Sequence, residues 1–596
     1  MCGIFGFHAR SGSSLPERTF NEMGQKIIHR GPDDTGTFYS KHAGVGNQRL
    51  SIIDVEGGGQ PFYSSDGNVV LVQNGEIYNH VELAQELAEG GVQCRTSSDT
   101  EVLLHLYQKH GIDFLSKLNG MFCIAIYDKN KDELILARDR VGVKPLFVHN
   151  TSDRLLFGSE IKSVLAAGVE AKLNEDALQM FLAYNYVPPP HTIFEGISHL
   201  SPGHYLVSNS RGVEVKQWWD LLDLAEEVER PEKEWADDLH NLLDDAVRLR
   251  MRADVPFGAF LSGGVDSGTV VGLMSRHSES PIQTYCIGFD DERFDESVYA
   301  KKVADMYGCN HRCEIVGPDM ISLWPMATYH CDQPHGDVSF LPTYRVSKLA
   351  ATHVKMVLTG DGGDELFAGY DKYKTYFGED VANLTEHAFF TTYCDNISLF
   401  SDEERGKLML NNTAGLGVDV WQPVEHILNR TSKMSRLNQA LLVDVLLLLP
   451  GNNLVKPDRM GMAVSLEART PFLDYRLVEL AFKMPGQLKL KDGVTKHILK
   501  KVSAPIIGED LAYRKKQMFT VPVGEWFKDS MSDEIKDLLI SPRAVDRKLF
   551  DQKYVRRLIE DHTSGKNNNT REIRALIAVE LWHRCFLDAP REAIVN

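Results

Sequence analysis

The apolar patterning of this 596-residue chain changes character once, and the change divides it in two. Up to about residue 207 the apolar residues fall in short runs at 69–73, 121–127, 134–137 and 155–157, separated by Gly, Asn and Asp turns. Such runs have the length and punctuation of β-strands. Helical spacing interrupts them at 81–89 and 100–110, with Ser98 or Asp99 placed to cap the second helix. Past residue 238 the pattern alternates: strand 255–261, helix 265–276, strand 284–289, helix 296–307, strand 355–358, then mostly helix. The first pattern predicts a layered αββα or α+β domain over 1–207. The second predicts an α/β unit over 239–596, a doubly wound parallel sheet with ligands at the carboxyl ends of its strands. Residues 208–238 read as a connector. Between Asp220 and Asp238 nine acidic residues face only Arg230 and Lys233, a net of −7 that suits a solvated linker or helix face.

Composition narrows the setting. Lys+Arg is 65 against Asp+Glu 83, and the resulting −18 argues against a nucleic-acid grip across a broad surface. Nine cysteines in so long a chain, with no secretory leader before them, suit free thiols in a reducing cytoplasm. The most apolar stretch, 441–450, is broken by Asp444 and is too short to cross a bilayer, so no membrane partner is expected.

The chain opens Met1-Cys2-Gly3-Ile4. Removal of Met1 would leave Cys2 with a free α-amine of pKa about 7.7–8, a base for its own thiol on the same residue. An amidase acting on glutamine also needs a cation for the α-carboxylate, an anion for the α-ammonium and donors for the tetrahedral oxyanion. Arg49, in Asn47-Gln48-Arg49-Leu50-Ser51-Ile52-Ile53-Asp54, could provide the first, Asp99 with Glu76 the second, and Asn74 with the Gly75 N–H the third, although each motif alone could be an ordinary turn or ion pair.

Two glycine loops mark the second half. Ser262-Gly263-Gly264-Val265-Asp266-Ser267-Gly268 lies between a strand and a helix, where glycines admit a phosphate to the backbone and the helix terminus favours its charge. No GxxxxGK[ST] pattern occurs here, so this is not the usual loop of γ-phosphoryl transfer. Asp266 is awkward beside an anion unless a cation bridges them, which points to magnesium pyrophosphate. Thr359-Gly360-Asp361-Gly362-Gly363-Asp364-Glu365 gathers three carboxylates that would repel without a metal or cationic ligand between them. Cys309, His311 and Cys313 have a zinc-like spacing, but it fits a strand after a helix and no second pair stands nearby.

With Arg30-Gly31-Pro32-Asp33-Asp34 and Asp139-Arg140-Val141-Gly142-Val143-Lys144-Pro145, residues 1–207 resemble a class II glutamine amidotransferase. The later motifs resemble the ATP-pyrophosphatase domain of glutamine-hydrolysing asparagine synthetases. That likeness continues through Phe294-Asp295-Glu296-Ser297, 454–459, 466–474 and 514–519. It implies an N-terminal-nucleophile fold in which Cys2 attacks the glutamine amide, with Arg49 to Ile53, Asn74 to Glu76 and Asp99 around the substrate. It further implies Ser262, Gly263, Gly264, Asp266 and Ser267 on the ATP phosphates, and Asp266 and Asp364 on Mg²⁺. Phe260, Ile287, Thr359 and Gly360 would surround the adenosine, Asp361 would take part in acyl-adenylate formation, and Lys516 would stabilise charge during ammonia attack. Many members carry Glu at the position of Asp361, and Pro457 and Met518 also depart from the expected residues. The resemblance makes aspartate the default acceptor, with cell-envelope sugar or peptide carboxylates, or a catalytically silent regulatory homologue, as alternatives. It also implies a homodimer.

Overall fold

A computed structural model describes residues 2–588, apart from 11–13, 378–380, 382, 411–417, 516–520, 522 and 529–531. The N-terminal half is an αββα sandwich of two six-stranded antiparallel sheets. In the first, strand Cys2–Ala9 lies between Arg154–Gly158 and Ala43–Arg49, in a register that sets Cys2 opposite Arg49. The alternation of this strand explains the layering. Ile4 joins Val70, Val72 and Phe157 between the sheets, while Phe5 and Phe7 pack outward on Phe20 and Met23 of helix Glu17–Gln25. On the far face of the second sheet, Leu83 and Leu87 of helix His80–Glu89 pack with Val102, Leu103 and Leu106 of helix Asp99–His110. The Ser98 side chain caps the second of these helices, accepting from the Thr100 N–H at 3.3 Å.

The C-terminal half is built on five parallel strands in the order Asn310–Val316, Gln283–Phe289, Phe257–Phe260, Met356–Leu358, Glu467–Arg469. The chain winds outward from Phe257–Phe260 in one direction and then reverses to Met356–Leu358. The crevice between those two strands is the topological switch point at which open α/β sheets bind ligands.

The expected connector over 208–238 is corrected at both ends. Strand Gly212–Gln217 pairs with His204–Asn209 and edges the second sheet of the sandwich, and helix Glu232–Arg250 packs on the C-terminal half. The acidic side chains between them are not merely solvated. Arg430 reaches Asp220 at 2.7 Å and Asp223 at 2.5 Å, and Lys491 and Lys501 hold Glu232 at 2.9 and 2.8 Å. The negative stretch is a strap laid over a complementary surface.

A second correction concerns the apolar stretch. It lies within one continuous helix, Arg436–Met462, which is long and apolar enough to cross a membrane by length and composition, but 67% of its apolar window is buried inside the protein. Pro450 does not end it, because Asp444–Asn453 is wound as a π-helix, a form that tolerates a lost backbone donor.

Candidate active site

Cys2 begins its strand in a closed environment, 5% exposed. Its backbone N–H donates to Asn74 Oδ1 at 3.1 Å, and Asn74 Nδ2 donates to Ser159 Oγ at 3.3 Å. Burial pushes the Cys2 thiol up, opposed by hydrogen bonds from the Leu50 backbone and the Asn47 side chain. Gly75 follows Asn74 at φ +143°, and a Cβ there would stand 2.0 Å from the Met121 carbonyl oxygen. The position therefore requires glycine, and its N–H is fixed beside Asn74.

The remaining residues expected around glutamine gather at the same strand ends. The Asp99 carboxylate accepts from the Ile77 N–H at 2.9 Å and Gln73 Nε2 at 3.0 Å. Glu76 is buried, and that burial, with Glu467 nearby, pushes its carboxyl well above the usual range despite Arg469. Arg49 does something the sequence did not indicate. Its Nη1 donates to the Val55 carbonyl at 3.2 Å, and its Nη2 to those of Ile53 and Asp54 at 3.2 and 2.6 Å, bracing the 50–55 loop from within. That loop leans on the other half of the molecule, where Asp254 N–H donates to the Ile52 carbonyl at 2.9 Å and Asp54 N–H to Asp254 at 2.7 Å.

The second site is a cavity of about 770 Å³ at the switch point. Phe260, Ser262, Gly264, Asp266, Ser267, Ile287, Thr359, Gly360, Asp361 and Asp364 all line it, whereas Gly263 lies behind the wall. Gly263 sits at φ +71°, where a Cβ would meet Ala300 N at 2.5 Å, so it shapes the loop by its conformation. Ser262 and Ser267 hydroxyls are 3.0 Å apart and tie the loop to the first turn of helix Val265–His277. Thr359 Oγ1 donates to Asp361 at 2.6 Å, and burial pushes the Asp361 carboxyl up.

Sequence reasoning missed the residue at the centre. Lys496, 2% exposed, sets its ammonium between Asp266 and Asp364, 2.7 Å from the latter. Burial works against that charge, but the two carboxylates outweigh it and hold the group well above its ordinary value. Lys496 adopts φ +54° at the entry to helix His497–Ile507, a left-handed conformation that costs a non-glycine residue about 1–3 kcal/mol. The only local signal was the Asp492-Gly493 turn of the preceding hairpin, which says that the chain reverses but not where the lysine lands. Asp266 and Asp364 are hard oxygen donors of the kind magnesium takes alongside phosphate oxygens, so the pair fits that ion. Among the described residues no group of three or more His, Cys, Asp or Glu side chains is gathered that could hold a metal unaided. Glu365, also in the wall, accepts from the Tyr370 hydroxyl and from Asn453 Nδ2; burial and Asp364 push it up to about 7. Lys516 lies outside the described residues.

One helix touches both sites. In Val455–Met462, Asp458 receives Arg30 in a two-pronged contact at 2.9 and 3.1 Å, and Arg30 Nε donates in turn to the Cys2 carbonyl at 3.2 Å. Two residues earlier, Lys456 pairs with Asp337 at 2.6 Å in the wall of the large cavity. A void of about 20 Å³ lies along this helix, lined from one half by Arg138, Val143 and His199 and from the other by Gly451, Leu454 and Asp458.

Comparison with known proteins agrees with this division. The asparagine synthase family model matches residues 238–584, and the glutamine amidotransferase domain model matches residues 1–219. The chain is 33% identical to glutamine-hydrolysing asparagine synthetase 1 of Bacillus subtilis, over 98% of its own length and 96% of the relative's. It is 31% identical to asparagine synthetase 3 of the same organism, covering 95% and 94% of the two chains. It is also 28% identical to amidase chyE of Penicillium rubens, covering 90% and 91%. The chain belongs to the glutamine-hydrolysing asparagine synthetase family.

Proposed function

We propose that this protein makes asparagine from aspartate, ATP and glutamine. The observation that carries the proposal is the helix Val455–Met462, which joins a buried N-terminal cysteine site to a phosphate-type cavity at a sheet switch point.

With Met1 removed, the Cys2 amine takes the thiol proton and the thiolate attacks the glutamine amide carbon. The oxyanion forms between Asn74 and the Gly75 N–H, ammonia leaves, and water releases glutamate from the thioester. The 50–53 loop, Glu76 and Asp99 hold the amino-acid end of glutamine. In the second site a carboxylate oxygen of the acceptor attacks the α-phosphorus of ATP and pyrophosphate leaves. Ser262, Gly264 and Ser267 hold the phosphates, and Phe260, Ile287, Thr359 and Gly360 enclose the adenosine. Asp266 and Asp364 would hold Mg²⁺, whose chemistry is to neutralise charge on the pyrophosphate. Asp361 stands where the acyl-adenylate forms. Ammonia then attacks the acyl carbon and AMP leaves, with Lys516 assigned to stabilising the charge that develops. Passage of ammonia along Val455–Met462 has a physical motive, since in neutral water it is protonated and no longer a nucleophile.

The acceptor is tested by ATP–pyrophosphate exchange across candidate acids. Exchange that depends on aspartate supports the proposal. Exchange with a uronic acid or a peptide carboxylate and none with aspartate would replace it with another acceptor on the same machinery.

A further inference from the structure

The cations that line the large cavity are mostly committed. Lys372 pairs with Asp444 at 2.6 Å, Lys456 with Asp337 at 2.6 Å, Arg514 with Glu296 at 2.7 Å, and Lys496 with Asp266 and Asp364. Arg574 differs. It lines the same cavity, yet its Nε is closed off from solvent without a hydrogen-bond partner, and among the described residues no carboxylate is in salt-bridge contact with it. The side chain is held in place from behind: Ile573, Leu576 and Ile577 of its own helix, Thr570–His583, are buried in the core. Burial pulls the guanidinium down from its ordinary value, opposed mainly by Asp337, whose charge Lys456 already balances. Glu572 adds a smaller opposing charge and Arg571 a like one, so the group formed by Arg574, Lys456 and Asp337 keeps one positive charge in excess.

The place of this group along the wall limits what balances that charge. Lys456, paired with Asp337 at 2.6 Å, also acts on Asp361, so Arg574 is linked through Asp337 and Lys456 to Asp361, while the phosphate end has its own cation, Lys496, between Asp266 and Asp364. A buried guanidinium Nε–H without an acceptor is costly, and the planar fork of arginine matches a carboxylate in two-pronged fashion.

We propose that Arg574 is a specificity-determining residue, the partner of the second, non-reacting carboxylate of the acceptor. The proposal rests on the reading that the cavity adenylates a carboxylate. The test is exchange kinetics of the full-length protein with aspartate and with 3-aminopropanoate, which keeps the reacting carboxylate and the amine but lacks the second acid. Wild type favours aspartate. Arg574→Met raises the aspartate KM by about 10- to 100-fold, the range for a lost charge-assisted contact, while the ATP KM stays within about twofold. Its preference for aspartate over 3-aminopropanoate collapses, and Arg574→Lys restores part of it. An unchanged aspartate KM in Arg574→Met overturns the proposal, as does an ATP KM that rises in step, which would place Arg574 on the nucleotide. A wild type that exchanges equally well with both acids overturns it whether or not the variants fold. No exchange with any acid would instead remove the adenylation reading, and this role of Arg574 with it.

Discussion

Replacing Lys496 by methionine tests the centre of the synthetase site. Its ammonium lies 2.7 Å from Asp364 and is bonded to Asp266 as well. At an effective dielectric of about 20, two unit charges at that separation attract by about 6 kcal/mol, and desolvation of the buried groups returns several kcal/mol of this. What is lost on removing one partner is about 3–5 kcal/mol, because two carboxylates are left facing each other without their cation. Lys496→Met should therefore lower the denaturation midpoint of the full chain and abolish ATP–pyrophosphate exchange, while glutaminase activity persists. Adding Asp364→Asn removes one of the stranded charges and should recover about half of the lost stability. The pH dependence has a definite sign. Carboxylates freed of the ammonium rise in pKa above their unfolded values, so the folded variant binds more protons than the unfolded chain and regains stability as pH falls. In wild type the raised lysine contributes its stability fully below its unfolded value, so no loss appears near neutrality. A Lys496→Met protein with the wild-type midpoint at neutral pH, unaffected by Asp364→Asn, would refute the ion-pair account.

Three further outcomes follow from the same geometry. Glu365, held at about 7 against an ordinary 4.5, keeps its proton in the folded state through the interval where the unfolded chain loses it. Its stabilisation is full below the unfolded value and is lost as pH rises through about 7, worth about 3 kcal/mol, so Glu365→Gln should flatten the stability–pH curve over that window; an unchanged slope contradicts it. Asp458→Ala takes one of two carboxylate partners from Arg30, which keeps Glu160 at 3.0 Å, and removes that of buried Lys144, which should cost about 3–5 kcal/mol and reduce glutamine-driven synthesis more than ammonia-driven synthesis; equal reductions would show that the contact is only structural. Gly75→Ala brings a Cβ to 2.0 Å from the Met121 carbonyl oxygen and should abolish glutaminase activity while exchange survives; normal glutaminase kinetics would exclude the Gly75 N–H as an oxyanion donor.

The parts of the fold that were legible are those whose physics is local. Ser98 before a helical apolar run gave a cap, and the alternation of strand and helix after residue 238 gave a parallel sheet with Ser262–Ser267 and Thr359–Asp364 at its switch point. What escaped depends on partners distant in sequence. Strand Glu467–Arg469 has a charged residue at each end, and no hydropathy pattern marks it as buried. It is buried because Arg469 pairs with Glu467 within the strand and reaches Glu76 of the other half at 3.5 Å. Lys496 is likewise just one of many lysines until the fold carries it between Asp266 and Asp364. The acidic run after Asp220 shows the converse: its charge was plain, but the cations it lies on, Arg430, Lys491 and Lys501, are more than two hundred residues away.

The most direct test of the account follows nitrogen through both sites. Full-length protein is given aspartate, ATP and glutamine labelled with ¹⁵N at its amide, and the product amide is read by mass spectrometry for wild type and Cys2→Ala. Wild type is expected to give asparagine carrying the label and Cys2→Ala none from glutamine, with synthesis restored in that variant by added ammonia. Labelled asparagine formed from glutamine by Cys2→Ala at the wild-type rate would contradict this expectation.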